Sequence, residues 1–530
     1  MLPGNSKRLV IAVAFLLPLA FAAFTHHAWE DYYITLRSSR NLVEGNGLVF
    51  NPGERVHTFT SPLGVLVPAF CLVLAGKNDQ IALWIFRAIS AALLAGAAAL
   101  VWRRAETLRL GWIGRMVAFG LLLTDAKLTD FSINGQETAL LVFFLLLLWS
   151  ELESPAPPRP VWLAVACAGL MWTRPDAFIL IGALLVPHLV LRRRGEGAPA
   201  PPWARLGRGV LLGALGYLPW FAWSWWYYGT PIPHTVIAKA AFMPPVTLAG
   251  LLLLPLRVLG GHAMQGDLFL PAYWVLGGWP AGMGLLAQGL AMVATFGWVW
   301  PGLPVAARRL SLAVFLGMFY LNSIILFPWY VPPWSVLAFL AIAGMADGVY
   351  TGLEAAGRRH LAAGFRVVCL LLVAVQGSLL AAVAWQMRVQ QRLIEDQNRR
   401  AIGVWLHRHA ASRDTVFLEP LGYIGYYSQL KTYDFPGLSS PEVTAAVRTG
   451  ATRYVDLIDR LRPQWLVLRT TELNWPVVAS KAMLRDYQFV QAWDVMSRLD
   501  AVRFLPGRPW LEVDARYVVL RRKTPAPPDR

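Results

Sequence analysis

Charge is scarce in this chain. Asp, Glu, Lys and Arg together make up 15% of 530 residues, against 56% hydrophobic residues. Soluble domains carry roughly 25% charged residues, so a chain with so few is not an ordinary soluble enzyme. Cysteine is scarcer still. Cys71, Cys167 and Cys369 all sit in apolar runs with no CxxC spacing, which excludes a disulfide framework or a thiolate metal site. The phosphate loop GxxxxGK[ST], the zinc motif HExxH and the nucleophile elbow GxSxG are all absent, and no dinucleotide fingerprint opens the tail. Nucleotide-sugar chemistry by a soluble domain is therefore not supported. No internal repeat stands out, which weighs against a transporter built from repeated halves.

Long apolar runs dominate what is present. They fall at about 9–24, 81–102, 112–124, 138–150, 160–173, 177–191, 209–228, 274–300, 310–327, 334–350 and 366–386. The first run follows Lys7 and Arg8 and has the form of a leader. We read it as an uncleaved span that anchors the loop after it. The net charge of +17 does not indicate nucleic acid, because much of the positive charge lies in short loops between spans. Two apolar stretches, 61–76 and 246–260, are short and carry a proline. Counting 61–76 as a span would put Arg103, Arg104, Arg109 and Arg115 outside, against the positive-inside rule. Laying both stretches on the outer face brings Lys7/Arg8, 103–115, Arg159, 192–208, Arg308/Arg309 and 358–366 to the cytoplasmic side. The expectation is about eleven spans, N-terminus cytoplasmic and C-terminus outside.

Residues 388–530 differ in composition. A polar helical run is followed by strand-like TVFLEP, TYDF, QWLVLR and RYVVLRR, with turn signals between them. This reads as a small α/β domain outside the membrane (388–530) behind a transmembrane part (1–387), with KTPAPPDR at the end disordered.

Chemistry is sought in the polar islands on the outer side, because charges at membrane depth are costly and mark function. The first loop, 25–80, carries Glu30 and Asp31 at the start of an interfacial helix. Their plain role is to favour the helix N-terminus. Their sharper role is as a carboxylate that takes a proton from an acceptor hydroxyl. Arg37 and Arg40 follow at helical spacing, and a guanidinium suits a phosphate as well as it suits lipid headgroups. His57 lies before the 61–76 stretch and Glu137 opens a span. Arg174 and Asp176 flank a proline between spans. Tyr227, Tyr228, His234 and Lys239 mix rings with cations, as do Trp329 and Tyr330 within an aromatic turn. Such rings stack on sugars or form an interfacial belt, and Lys239 could hold a phosphate.

The stretch EDYYITLRSSRNLVEGNGLVFNPGERVHTFTSPL resembles the first-loop signature of the GT-C superfamily. It is most similar to a bacterial group that includes the mycobacterial terminal arabinofuranosyltransferases. NGQETALLVFFLLLL, TRPDAFIL, YYGTPIPHTVIAK, YDFPGLSSPEV and RLRPQWLVLR extend the resemblance in order from about residue 30 to 470. It implies a GT-C fold with interfacial helices and a periplasmic C-terminal domain. It implies a polyprenyl-phosphate sugar donor, arabinofuranose or similar, and a glycan, lipid-linked or protein acceptor. Its catalytic acid maps onto Asp31. Glu30 stands where the group usually has another Asp, and a divalent cation near the pair is compatible with two carboxylates. His57, Thr58 and Phe59 stand where the group tends to E-G-Y, which bears on acceptor or donor fit.

The resulting expectation is a glycosyltransferase of the bacterial inner membrane. Asp31 and Glu30 would be catalytic. Arg37, Arg40, Lys239 and Arg174 would hold the donor phosphate. His57, Glu137, Asp176, Tyr227, Tyr228, His234, Trp329 and Tyr330 would line the pocket. The competing expectations are a flippase of lipid-linked sugars using the same cavity, and a scaffold whose tail recruits partners.

Overall fold

A computed structural model describes residues 4–191, 203–243, 247–260, 266–324, 326–473 and 485–523. The expected disorder at the chain end, residues 524–530, lies outside the described residues, as do residues 192–202 of the basic run at 192–208.

Helices make up the first four hundred residues because the apolar runs leave the backbone no partner but itself. Among the described residues, five helices are long and apolar enough to cross a membrane, or six if the bent pair Ala126–Ile133 and Thr138–Leu152 is one span. Several other apolar helices are shorter, such as Trp112–Thr124 and Pro160–Thr173. The chain is a multi-pass membrane protein. The expected eleven spans exceed what length and composition support, because the shorter helices would reach only about 20 Å as straight rods. Pro62–Leu74 is among these short helices. Pro62 occupies its first turn and the Ser61 hydroxyl accepts the Gly64 N–H at 2.8 Å. The 246–260 stretch is likewise two short helices, Leu248–Leu252 and Leu254–Gly260.

The helix Asp79–Thr107 begins beside the first loop, where Asp79 pairs with Arg40. Its 29 residues span about 44 Å at 1.5 Å per residue. Arg103 and Arg104 lie near its other end, about 36 Å along the helix from Asp79.

The tail is built on a five-stranded sheet in the order β2-β1-β3-β5-β4. The strands are β1 (Thr415–Leu418), β2 (Lys431–Asp434), β3 (Trp465–Arg469), β4 (Tyr487–Asp494) and β5 (Arg516–Arg522). β1 runs parallel to β2 and β3, while β5 is antiparallel to both β3 and β4. Strand alternation sends Phe417, Leu466 and Leu468 to one face, where Val443, Leu457 and Ile458 cover them. Val416, Leu418, Val467 and Val519 point to the other face. That second face is covered partly by Ile34 and Phe50 of the first loop. The loop and the tail thus share one core, although more than 350 residues separate them. Nothing breaks at residue 388 either. The helix Arg359–Gln390 continues through a π-helical stretch, Gln391–Arg400, into Ala401–His409.

Candidate active site

The helix Glu30–Val43 starts with two carboxylates in its first turn, where the exposed N–H groups favour negative charge. The two side chains then part. Asp31 lines a pocket of about 80 Å³ together with Thr35, Glu137, Arg174, Lys239, Trp329 and Tyr330, among others. Glu30 faces the tail. Its Oε1 accepts the Gly422 N–H at 2.7 Å and its Oε2 lies 3.6 Å from Arg399.

Burial pushes the Asp31 carboxyl up to about 6. The charge of Lys239 opposes that rise, and those of Glu137 and Glu419 add to it. Burial also raises Glu30 to about 8, against the pull of Arg399. Near neutral pH, Asp31 is thus the better base of the two, and Glu30 serves to join loop and tail.

The two cations of the pocket differ. Arg174 is claimed by carboxylates, with Nη1 3.2 Å from Glu137 and Nε 3.0 Å from Asp176. It also lies 4.5 Å from the Tyr330 ring centre. Lys239 has no ion-pair partner among the described residues. Its ammonium sits 4.7 Å from the ring of Phe327, 5.8 Å from Trp329 and 6.0 Å from Tyr330. Ring faces attract a cation without neutralising it, so Lys239 keeps its charge available for an anion.

Thr60, Arg174, Lys239 and Tyr330 also line a second cavity of about 530 Å³. Its other walls are mostly apolar and include Met171, Phe178, Tyr217, Phe221, Ile232 and Val236. A polar pocket and an apolar cavity therefore meet at two cationic side chains.

Several expected site residues lie elsewhere. Arg37 does not reach the pocket. It is buried and donates to the carbonyls of Gly425 at 2.8 Å and Leu430 at 3.0 Å. Arg40 pairs with Asp79 and Glu44 and donates to the Tyr426 hydroxyl at 2.7 Å. Both arginines fasten the tail to the loop, because their helix face is covered by protein rather than by substrate space. His57 is buried and stacks on Tyr228 at 4.5 Å, and burial lowers it to about 3. Tyr228 donates to the Leu48 carbonyl and Tyr227 stacks on Trp223. His234 lies 3.4 Å from the Thr444 hydroxyl. None of these four lines the pocket. Asp176 reaches the apolar cavity and holds Arg174.

No group of three or more His, Cys, Asp or Glu placed to hold a metal occurs among the described residues. Glu30 is engaged with Gly422 and Arg399, so the two adjacent carboxylates do not converge on one point. The pair does not fit a shared cation.

Sequence reasoning missed Leu438, which lines the pocket from the tail. It also missed Glu419, which pairs with Arg469 at 2.5 Å and whose charge acts on both Glu30 and Asp31. Leu438 lies in the YDFPGLSSPEV stretch, but nothing local in the sequence places it or Glu419 at the site, because both reach it through the packing of the tail.

A family model described as a domain of unknown function (DUF8728) matches residues 386–517. The chain is 32% identical over 253 residues to a terminal β-(1→2)-arabinofuranosyltransferase of Corynebacterium glutamicum, covering 42% of this chain and 34% of that protein. It is 30% identical over 239 residues to the enzyme of the same name from Mycobacterium tuberculosis, covering 40% and 35%. The chain spans about a third of the length of these relatives. The crystal structure of ArnT from Cupriavidus metallidurans bound to undecaprenyl phosphate superposes with a TM-score of 0.53 at 15% identity, over 99% of both chains. The chain shares the fold of ArnT. The resemblance to terminal arabinofuranosyltransferases read from the first loop stands on these sequence matches.

Proposed function

We propose that this chain is an integral membrane glycosyltransferase that moves a sugar from a polyprenyl-phosphate carrier to a hydroxyl of a glycan, lipid-linked or protein acceptor. The observation that carries this reading is the junction at Arg174 and Lys239. A phosphate seated there has its isoprenoid tail in the apolar cavity and its sugar in the pocket beside Asp31. The undecaprenyl phosphate bound to ArnT supports the donor class, and the arabinofuranosyltransferase relatives support a pentofuranose.

In the step proposed, the acceptor oxygen attacks the anomeric carbon and the bond from that carbon to the phosphate oxygen breaks. Polyprenyl phosphate leaves with the bonding pair, and Asp31 takes the acceptor proton. Lys239 stabilises the charge that grows on the departing phosphate, and Arg174 orients it. Trp329 and Tyr330 offer ring faces to the sugar. The tail holds the acceptor side.

The chain is placed in a bacterial plasma membrane, with Arg103–Arg115 cytoplasmic and the first loop and tail outside. The test is a transfer assay in reconstituted membranes with a panel of labelled polyprenyl-phosphate sugars, wild type beside Asp31→Asn. Transfer from one donor that is lost in the variant supports the reading. A folded wild type that consumes none of the donors refutes it.

A further inference from the structure

One wall of the Asp31 pocket comes from the tail. Among the described residues, Leu438 is the one tail residue lining it, and its position is tightly set. It lies in the loop between β2 and the helix Pro441–Arg448. That loop is tied around Asp434, a carboxylate with no exposed surface. Asp434 Oδ2 accepts the N–H groups of Gly437 at 3.2 Å and Leu438 at 2.5 Å. Its Oδ1 accepts the Ser439 N–H at 2.8 Å and the Ser439 hydroxyl at 2.6 Å. Gly437 has φ 99°, and a Cβ there would come within 3.0 Å of Thr444, so glycine suits the turn. Burying a carboxylate is costly unless several donors satisfy it. Here the donors come from four successive residues of the loop, the Ser440 hydroxyl donating to Oδ1 at 2.9 Å.

Two contacts dock this loop. Phe435 packs on Phe242 at 5.2 Å, and Thr444 meets His234 at the start of the helix that carries Lys239. Leu438 itself packs against the core cluster containing Ile34, which also lines the pocket. Thr60, Arg174, Lys239 and Tyr330 line both the pocket and the apolar cavity, whereas Asp31, Ile34 and Leu438 line the pocket alone. Leu438 therefore borders the space beside Asp31 and, unlike Lys239 and Arg174, does not line the apolar cavity. An isobutyl group offers no hydrogen bond to a sugar hydroxyl. It selects by shape, and pocket shape discriminates by about 10- to 200-fold per methylene.

We infer that Leu438 is a specificity-determining residue for the acceptor: its side chain, held by the Asp434 loop, limits which carbohydrate alcohol can bring a hydroxyl to Asp31. This inference rests on the transferase reading. The experiment compares wild type, Leu438→Ala, Leu438→Trp and Leu438→Met in reconstituted membranes with one fixed polyprenyl-phosphate sugar. The acceptors are glycosides of increasing bulk, and release of free sugar to water is followed in parallel. Leu438→Trp is expected to lower kcat/KM at least tenfold for the bulkiest acceptors while donor KM and release to water stay within about twofold. Leu438→Ala is expected to narrow the spread of kcat/KM across the panel, and Leu438→Met to keep the wild-type order. An equal loss for every acceptor and for water would assign Leu438 a structural role only, and an unchanged panel would remove it from specificity; either overturns the inference. A wild type that consumes no donor removes the transferase reading and this inference with it. A wild type that transfers to the panel leaves that reading standing whatever the Leu438 variants do.

Discussion

The Glu30 carboxylate accepts the Gly422 N–H at 2.7 Å across 392 residues of chain. The backbones meet as closely as the side chain does: a Cβ on Gly422 would overlap the Glu30 carbonyl oxygen. Next to this contact, Arg399 reaches Glu30 at 3.6 Å, Glu395 at 2.9 Å and Asp514 at 2.6 Å. The start of the helix that carries Asp31 is thus fastened to both the last long helix and the tail.

Gly422→Ala should force these elements apart. Overpacking of this kind costs about 1–3 kcal/mol, and the displaced atoms belong to the residue before Asp31. The expected outcome is a lower thermal midpoint in detergent together with reduced transfer. An unchanged midpoint and wild-type turnover would show that the loop and tail are not in contact there.

Asp31→Asn should lower transfer by about 10²- to 10⁴-fold, the usual share of a general base, while stability changes the opposite way. The folded-state value of about 6 lies above the ordinary 3.8, so the folded protein favours the protonated form. Asp31's stabilising contribution is present below about 4 and is lost as pH rises through about 6. The variant, which never bears this charge, should therefore melt higher than wild type at pH 7.5 and gain little at pH 4. A variant that melts lower at pH 7.5 contradicts the buried-carboxylate picture.

The pH–rate profile should rise through about 6 as Asp31 loses its proton. Lys239 holds the Asp31 value down and Glu419 holds it up. The acidic limb should accordingly move to higher pH in Lys239→Met and to lower pH in Glu419→Gln. Opposite movements would place the titrating base elsewhere.

Two cations should separate by phenotype. Lys239→Met removes the charge free to meet the phosphate, and turnover should fall by about 10²- to 10³-fold with the thermal midpoint kept. Arg37→Met strands the buried carbonyls of Gly425 and Leu430, at about 1–3 kcal/mol for each unsatisfied group. It should lower the thermal midpoint and leave the kcat/KM of the folded fraction close to wild type. Turnover and melting curves for both variants, measured side by side, decide the point; a kinetic defect in Arg37→Met with unchanged melting would return that residue to the site.

The membrane character of the chain was legible in composition alone, because uncharged runs of such length have no stable place in water. So were four of the five tail strands, whose β-branched and aromatic runs sit between turn signals. β4 was not, because its residues, YQFVQAWD, are largely exposed and show no clean alternation. The first-loop motif pointed to Asp31 as the carboxylate to test, and the same local reading placed Lys239, Arg174, Glu137, Trp329 and Tyr330 among the site residues. These were found because a polar residue at the end of an apolar helix must face either solvent or a cavity.

Tertiary structure decided which of those residues meet. Helical spacing put Arg37 and Arg40 near the acidic pair, but spacing does not say what covers a helix face. The tail covers this one, so both arginines became fasteners. Aromatic rings with cations marked 226–245 as a site, but only packing decided that Lys239 lines the pocket while His234 and Tyr228 do not. The places of Leu438 and Glu419 were beyond reach for the same reason, although Leu438 lies in the YDFPGLSSPEV stretch. A contact across almost four hundred residues leaves no period in the chain. It exists because the first loop supplies Ile34 and Phe50 to a sheet face that the tail's own Ile402, Leu406, Leu421 and Ile424 cover only in part.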